Sequence, residues 1–255
     1  MSDDSERDLL LYYLNIQYSN PKEVELQDEQ QDNIKIIKRV VELDPNLSED
    51  DRSILTMAYK NPVTSRRNSL RNVECILQNE AASGDSNSYK QQRIDRLKIF
   101  EQKLKAELEE LCLDLIKLVD EKILNRPSID AEDRVFYEKM KGDFYRYICE
   151  NRPRSEVDDY VNKAKQCYDN GLDISKAELS ASNPTYLGLV LNYTVFLYDI
   201  MEMKEEAIEL SKKTYTETAD LIDTMDDTSY SESSMILQLL QNNCRTWLNA
   251  SEQDM

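Results

Sequence analysis

Four glycines and six prolines are all that interrupt this chain of 255 residues. A strand-rich fold needs turn residues roughly every 8–12 positions, and Gly and Pro supply most of them. Their scarcity points to helices, and the apolar spacing agrees. In segment 89–123, Leu97, Leu104, Leu108, Leu111, Leu115 and Leu118 recur at spacings of three, four and seven, the repeat of one helix face. Segment 4–18 is apolar at positions 9, 10, 13, 14 and 16. No segment reads as a strand.

The pattern predicts an all-α chain of about nine antiparallel helices, at 4–18, 21–43, 48–78, 89–123, 131–150, 155–177, 184–201, 204–224 and 230–249. Ser48-x-x-Asp51, Ser155-x-x-Asp158, Asn183-Pro184 and Ser229-x-x-Glu232 are the expected helix starts. Residues 79–88, NEAASGDSNS, read as a flexible loop, and 250–255 as a flexible tail. Short connections favour packing between sequential neighbours. No fixed-period repeat is present, so one irregular array, a single domain over 1–255, is expected rather than a solenoid.

Composition narrows function. The formal net charge is -18, which argues against nucleic acid as a partner because phosphate backbones need a basic face. Histidine is absent, and with it the commonest general base and metal ligand. No Gly-rich phosphate loop or nucleophile motif stands out, so a carboxylate-based hydrolase or phosphatase is disfavoured. Neither a metal nor a cofactor is implied. Cys75, Cys112, Cys149, Cys167 and Cys244 form no C-x-x-C pair and read as reduced thiols. The acidic start, MSDDSERD, is unlike a secretory or mitochondrial leader. The apolar stretch 187–203 is broken by Asn192 and Asp199, so no membrane span is expected. A reducing, cytoplasmic location with access to the nucleus follows.

Three constellations carry the candidate chemistry. In KNPVTSRRNSLR, residues 60–71, Lys60 and Arg67 lie seven apart and share a helix face with Thr64, and Arg71 extends the stripe. Arg66 points elsewhere, and Pro62 sits in the helix interior. Lys139, Asp143 and Arg146 fall at i, i+4 and i+7 in KMKGDFYRY, with Tyr147 beside them and Gly142 allowing close helix packing. Arg and Lys with a hydroxyl donor suit a phosphate dianion. A solvated basic stripe and an internal salt-bridge network are the competing explanations. In the third set, Asn192, Val195 and Asp199 share a face flanked by Leu191, and Leu239, Asn243 and Trp247 recur at i, i+4, i+8. An Asn on an apolar face either bonds a peptide backbone from both ends or is a satisfied core residue. Arg66-Arg67-x-Ser69 also suits a basophilic kinase, which marks Ser69 as a candidate phosphorylation site.

LSEDDRSILTMAYKN, VFYEKMKGDFYRY, LGLVLNYTVFLYDI and SYSESSMILQLLQNN followed by Trp247 resemble, in order, signature blocks of the 14-3-3 family of phosphoserine/phosphothreonine-binding adaptors. The resemblance covers about residues 47–248; residues 1–46 look divergent. It implies nine antiparallel helices around an amphipathic peptide-binding groove. It implies phosphate contacts from Lys60, Arg67 and Arg146, with Tyr147 donating a hydroxyl. Asn192 and Asn243 would clamp the ligand backbone. Leu191, Val195, Ile236 and Leu239 would form the apolar wall, with Lys139, Asp143, Asp199 and Trp247 in support or at the rim.

Some positions depart from the family pattern. Pro62 stands where an aliphatic residue is usual, Leu70 where Trp is, Thr246 where an apolar residue is, and Asp199 where Glu is. Family members form homo- or heterodimers. Phe100, Lys103 and Glu107 match family contact positions, but their expected ionic partners fall on Gln17 and Asn20, which are uncharged. The functional expectation is an adaptor for phosphorylated client proteins. The alternative is a helical interaction scaffold that has lost phosphate selectivity.

Overall fold

The computed structural model describes residues 3–18, 27–82, 88–219, 221 and 227–253. Among them are nine α-helices and no strand: α1 (Asp3–Tyr18), α2 (Gln27–Leu43), α3 (Glu49–Ala82), α4 (Ser88–Leu118), α5 (Ala131–Cys149), α6 (Arg154–Glu178), α7 (Pro184–Asp199), α8 (Lys204–Ala219) and α9 (Asp227–Gln253). A π-helical turn, Val119–Ile123, continues α4. The all-α expectation holds. The chain divides into two compact units, 1–127 and 128–255. None of the described helices is long and apolar enough to cross a membrane.

The first unit shows why its helices begin where they do. Ser48 caps α3: its hydroxyl accepts from the Asp51 amide at 3.2 Å, and the Asp51 carboxylate accepts from the Ser48 amide at 3.3 Å. This is a reciprocal capping box, with Asp in the place Glu more often takes. Asp51 also pairs with Arg7 of α1 at 2.7 Å, which ties two helices to the cap. The apolar stripe of α4 is buried as its spacing predicts at Leu104, Leu108, Leu115 and Leu118, as are Leu55, Tyr59 and Val63 of α3, on which α4 packs. Tyr59 donates to Asp114 at 2.7 Å, and Lys38 pairs with the same carboxylate at 2.6 Å.

Pro62 lies inside α3, which runs through it unbroken. Proline brings no N–H, so the Ala58 carbonyl loses its i+4 donor. The site makes that loss tolerable. At about 100° per residue, Pro62 and Arg66 fall on the face opposite Lys60, Thr64, Arg67 and Arg71. Both line a cavity of about 380 Å³ among α2, α3 and α4. The proline is buried on the core side and leaves the basic stripe undisturbed. Arg66 is also buried, donating to Glu107 at 3.3 Å and Gln30 at 2.8 Å.

Several boundaries differ from expectation. Residues 79–82, expected in a loop, are helical; Glu80 takes a two-pronged bond from Arg93 at 3.0 and 2.9 Å, which holds the end of α3 to α4. Helix α6 starts before Ser155, on an N-cap at Pro153 with no side-chain cap bond. Helix α9 starts before Ser229 and continues to Gln253, so most of the expected tail is helical. Positions 1–2, 19–26, 83–87, 220, 222–226 and 254–255 lie outside the described residues, and with them Asn20, one of the expected dimer-contact positions.

Asn183 caps α7 as expected, accepting from Thr185 and Tyr186 amides at 2.8 and 3.2 Å, with Pro184 in the first turn. The second unit's core is built on α7: Leu187, Leu189, Val190 and Phe196 are buried with Val161, Ala164 and Tyr168 of α6 and Leu237 and Leu240 of α9. All five cysteines are free thiols, and only Cys75 is exposed. Replacing Ser48 by Ala should destabilise the protein by about 1 kcal/mol, seen as a lower urea midpoint at unchanged slope. An unchanged midpoint would mean that the cap contributes nothing.

Candidate functional site

The expected site residues fall in both units, and each unit is described by itself. In the first, Lys60 is exposed and makes no ion pair among the described residues, while Arg67 and Ser69 are half-buried on α3. Leu70 is buried in the core where the resemblance sets Trp. The unit thus presents a basic stripe on α3, with the neighbouring Arg66 bound inward to Glu107.

In the second unit the sequence constellations converge on one carboxylate. Asp143, on α5, is buried. Its Oδ1 accepts from the Tyr168 hydroxyl at 2.7 Å and Asn192 Nδ2 at 2.8 Å. Its Oδ2 accepts from Lys139 Nζ at 3.0 Å and again from Asn192 Nδ2 at 2.7 Å. The Arg146 guanidinium stands 3.6 Å from Oδ1 and pairs with Glu150 at 2.8 Å. Lys139, Arg146 and Asn192, separated by up to 53 positions, are therefore held by one ion. An internal salt-bridge network exists on α5, and it includes Asn192 of α7.

Burial alone would raise the Asp143 carboxyl, but the Lys139 and Arg146 charges and the Tyr168 and Lys139 hydrogen bonds hold it below its ordinary value. A carboxylate with a lowered folded pKa contributes stability above its unfolded pKa, about 3.9, and loses that contribution as pH falls through the folded value. Burial pushes the Tyr168 phenol well above its usual range, so its hydroxyl stays a neutral donor.

Tyr147 is buried, with the Arg146 guanidinium 4.7 Å from its ring centre. Asp199 ends α7 and is exposed, yet partial desolvation raises its carboxyl; the nearby Arg146 opposes the shift and Glu150 adds to it. Leu191, Val195 and Ile236 are partly buried against the second unit's core. Leu239 is 46% exposed and Asn243 half-buried. Thr246 is exposed and donates back to the Asn242 carbonyl at 2.9 Å, a local bond that an apolar residue could not make.

Trp247 was expected either in support of the face or at its rim. It is buried in the core, stacked on Tyr198 with centroids 4.5 Å apart. Eight residues turn a helix by about 80° beyond whole turns, which carries Trp247 away from the face of Leu239.

Two participants escaped sequence reasoning. Glu150 is i+4 from Arg146, a spacing in plain view. Tyr168 lies 25 residues from Asp143 on another helix, where it reads as one of the core positions Val161, Ala164, Tyr168 and Leu172. Gly142 gives the missing clue: a Cβ there would stand 2.9 Å from the Tyr168 ring.

That contact yields a paired test. Gly142→Ala should cost about 1–3 kcal/mol because a fully buried ring must move. At Gly188 an added Cβ would meet only the Lys139 side chain at 3.7 Å, so Gly188→Ala should stabilise by up to about 1 kcal/mol through helix propensity. Thermal unfolding should lower Tm in the first and not in the second; equal shifts would contradict the packing described.

A sequence model of the 14-3-3 protein family matches residues 22–248, so the likeness begins earlier than residue 47. The chain is 35% identical over 219 residues to 14-3-3 protein eta of Homo sapiens, a match covering 86% of this chain and 87% of that protein. The eta proteins of Bos taurus and Mus musculus match with the same identity and coverage.

Proposed function

The chain belongs to the 14-3-3 family, and from that premise we propose that it binds phosphoserine- or phosphothreonine-containing segments of client proteins and catalyses no reaction. Membership supports the broader role, that of an adaptor acting by binding other proteins. Phosphate dependence is the further step. The observation that carries it is spare hydrogen-bonding capacity around Asp143. Arg146 Nε is buried without a hydrogen-bond partner among the described residues. Asn192 spends its Nδ2 on Asp143, and its carbonyl oxygen accepts no described bond. A positive fork and an amide with capacity left over are what a phosphorylated backbone needs.

On this proposal Lys60, Arg67, Arg146 and Tyr147 contact the phosphate. Asn192 and Asn243 hold the ligand backbone, and Leu191, Val195, Ile236 and Leu239 contact its apolar side chains. Lys139 and Asp143 support the face, Asp199 sits at its rim, and Trp247 backs it from the core. The net charge of -18 does not forbid an anionic ligand. Exposed charges are screened beyond about 8 Å at physiological salt, whereas an ion pair at about 4 Å contributes on the order of 4 kcal/mol at an effective dielectric near 20.

A second reading, a scaffold without phosphate selectivity, is favoured by the acids already held by Arg146, namely Asp143 and Glu150. One titration separates the two. A fluorescent R-S-x-phosphoSer-x-P peptide should bind, and its unphosphorylated twin should bind at least about tenfold more weakly, a gap of about 1.4 kcal/mol. Lys60→Glu, at an exposed position, should erase the difference without unfolding the protein. Equal affinity for the two peptides would establish the scaffold instead.

We also propose a second copy as partner. Leu9, Tyr12, Tyr13 and Ile16 of α1 form an exposed stripe at i, i+3, i+4 and i+7, and α4 exposes Tyr89, Ile99 and Phe100. The charged groups are already spent, since Glu107 holds Arg66 and Lys103 of its own chain, and the neutral Gln17 donates to Tyr13 at 3.2 Å. Apolar contact rather than ion pairing should therefore hold the dimer. Its sedimentation should be unchanged from about 0.1 to about 1 M salt, and Tyr12→Glu should give monomer. Dissociation in high salt would show that ion pairs hold it.

A further inference from the structure

We propose that Tyr168 is a positioning residue for the ligand face of the second unit, its buried hydroxyl fixing the Asp143 carboxylate that in turn holds the Asn192 amide and the Arg146 guanidinium. The inference rests on the phosphopeptide reading and adds to it a residue that no ligand can touch. Tyr168 has no exposed surface. It reaches the binding face only through Asp143, at 2.7 Å.

The geometry gives the hydroxyl a task apart from the ring. Three structures immobilise the ring. Gly142 leaves it the space a methyl would take, at 2.9 Å. Tyr193 stacks on it at 5.1 Å, and Phe196 lies at 5.3 Å. A ring so held delivers its O–H from a fixed point. That O–H shares Oδ1 with Asn192 and stands on the same side as Arg146. Lys139 takes the other oxygen, and its side chain is 25% exposed and flexible. Without the phenol, the buried carboxylate keeps one rigid donor fewer and is free to turn toward the lysine. Asn192 Nδ2, which bonds both oxygens, turns with it. A charge-assisted O–H bond in a buried site is both strong and directional, so its loss is felt at the amide that faces the ligand.

Tyr168→Phe isolates the hydroxyl, because the ring and its packing remain. Two measurements on the full chain test the proposal: the affinity of the fluorescent phosphopeptide, and the side-chain amide resonance of Asn192 in 15N NMR without peptide. The proposal predicts a cooperative melt, an affinity about tenfold weaker, and a displaced Asn192 amide resonance. Tyr168→Phe that melts at lower temperature but binds as tightly as wild type would show a purely structural hydroxyl and overturn it. Weaker binding with the Asn192 resonance unmoved would also overturn it, since the route through Asp143 would be wrong. Failure of the wild type to distinguish the phosphopeptide from its twin would overturn the functional reading instead. The Asn192 resonance in Tyr168→Phe would still decide the positioning.

Discussion

One buried ion, the Asp143 carboxylate, organises the second unit. A lone carboxylate in that place would be costly, and its proton would return. Here Lys139, Arg146, Tyr168 and Asn192 surround it, and the balance of their effects over desolvation keeps it ionised. Satisfying this one group dictates the rest. Residue 142 must be Gly for the phenol to approach. Helices α5, α6 and α7 must meet at one point. Arg146 and Asn192 must face the same way. Removing one partner of such a network is more damaging than never having built it, because the charge that remains is left uncompensated.

The first unit uses charge differently. Arg66 and Glu107 are consumed internally, and Asp51 serves both the α3 cap and Arg7. What remains outward is the stripe of Lys60, Arg67 and Arg71. Pro62 illustrates how a costly residue is tolerated: it lies on the buried side of α3, on the face away from that stripe, so the missing backbone bond and the basic residues do not compete. The chain's surplus of acid is largely a matter of exposed groups, where screening makes each one weak.

Local chemistry was legible in the sequence; chemistry assembled across helices was not. Ser48-x-x-Asp51 and Asn183-Pro184 specify their caps within four residues, and both form. Ser155-x-x-Asp158 has the same form but is bypassed, since Arg154 pairs with Asp158 at 2.6 Å inside a helix that has already begun. Lys139, Asp143 and Arg146 announced their network by spacing alone. Tyr168 could not, because its partner is on another helix and its own surroundings are apolar. For Trp247 both a supporting place and the rim stayed open, because an i, i+4, i+8 series drifts around a helix; Tyr198 offers it a stacking surface in the core. The residue roles suggested by family resemblance for the second unit fall on α5, α7 and α9, and α7 packs on both of the others.

The central claim is that the neighbours of Asp143 outweigh its burial and hold its carboxyl below the ordinary aspartate range. A 13C NMR titration of the Asp143 side-chain carboxyl tests it directly. The account predicts a titration midpoint below about 3.9, the ordinary aspartate value. A titration midpoint at or above that value would contradict it. The neighbours of Asp143 would then not outweigh desolvation, and the arrangement of Lys139, Arg146, Tyr168 and Asn192 would need another cause.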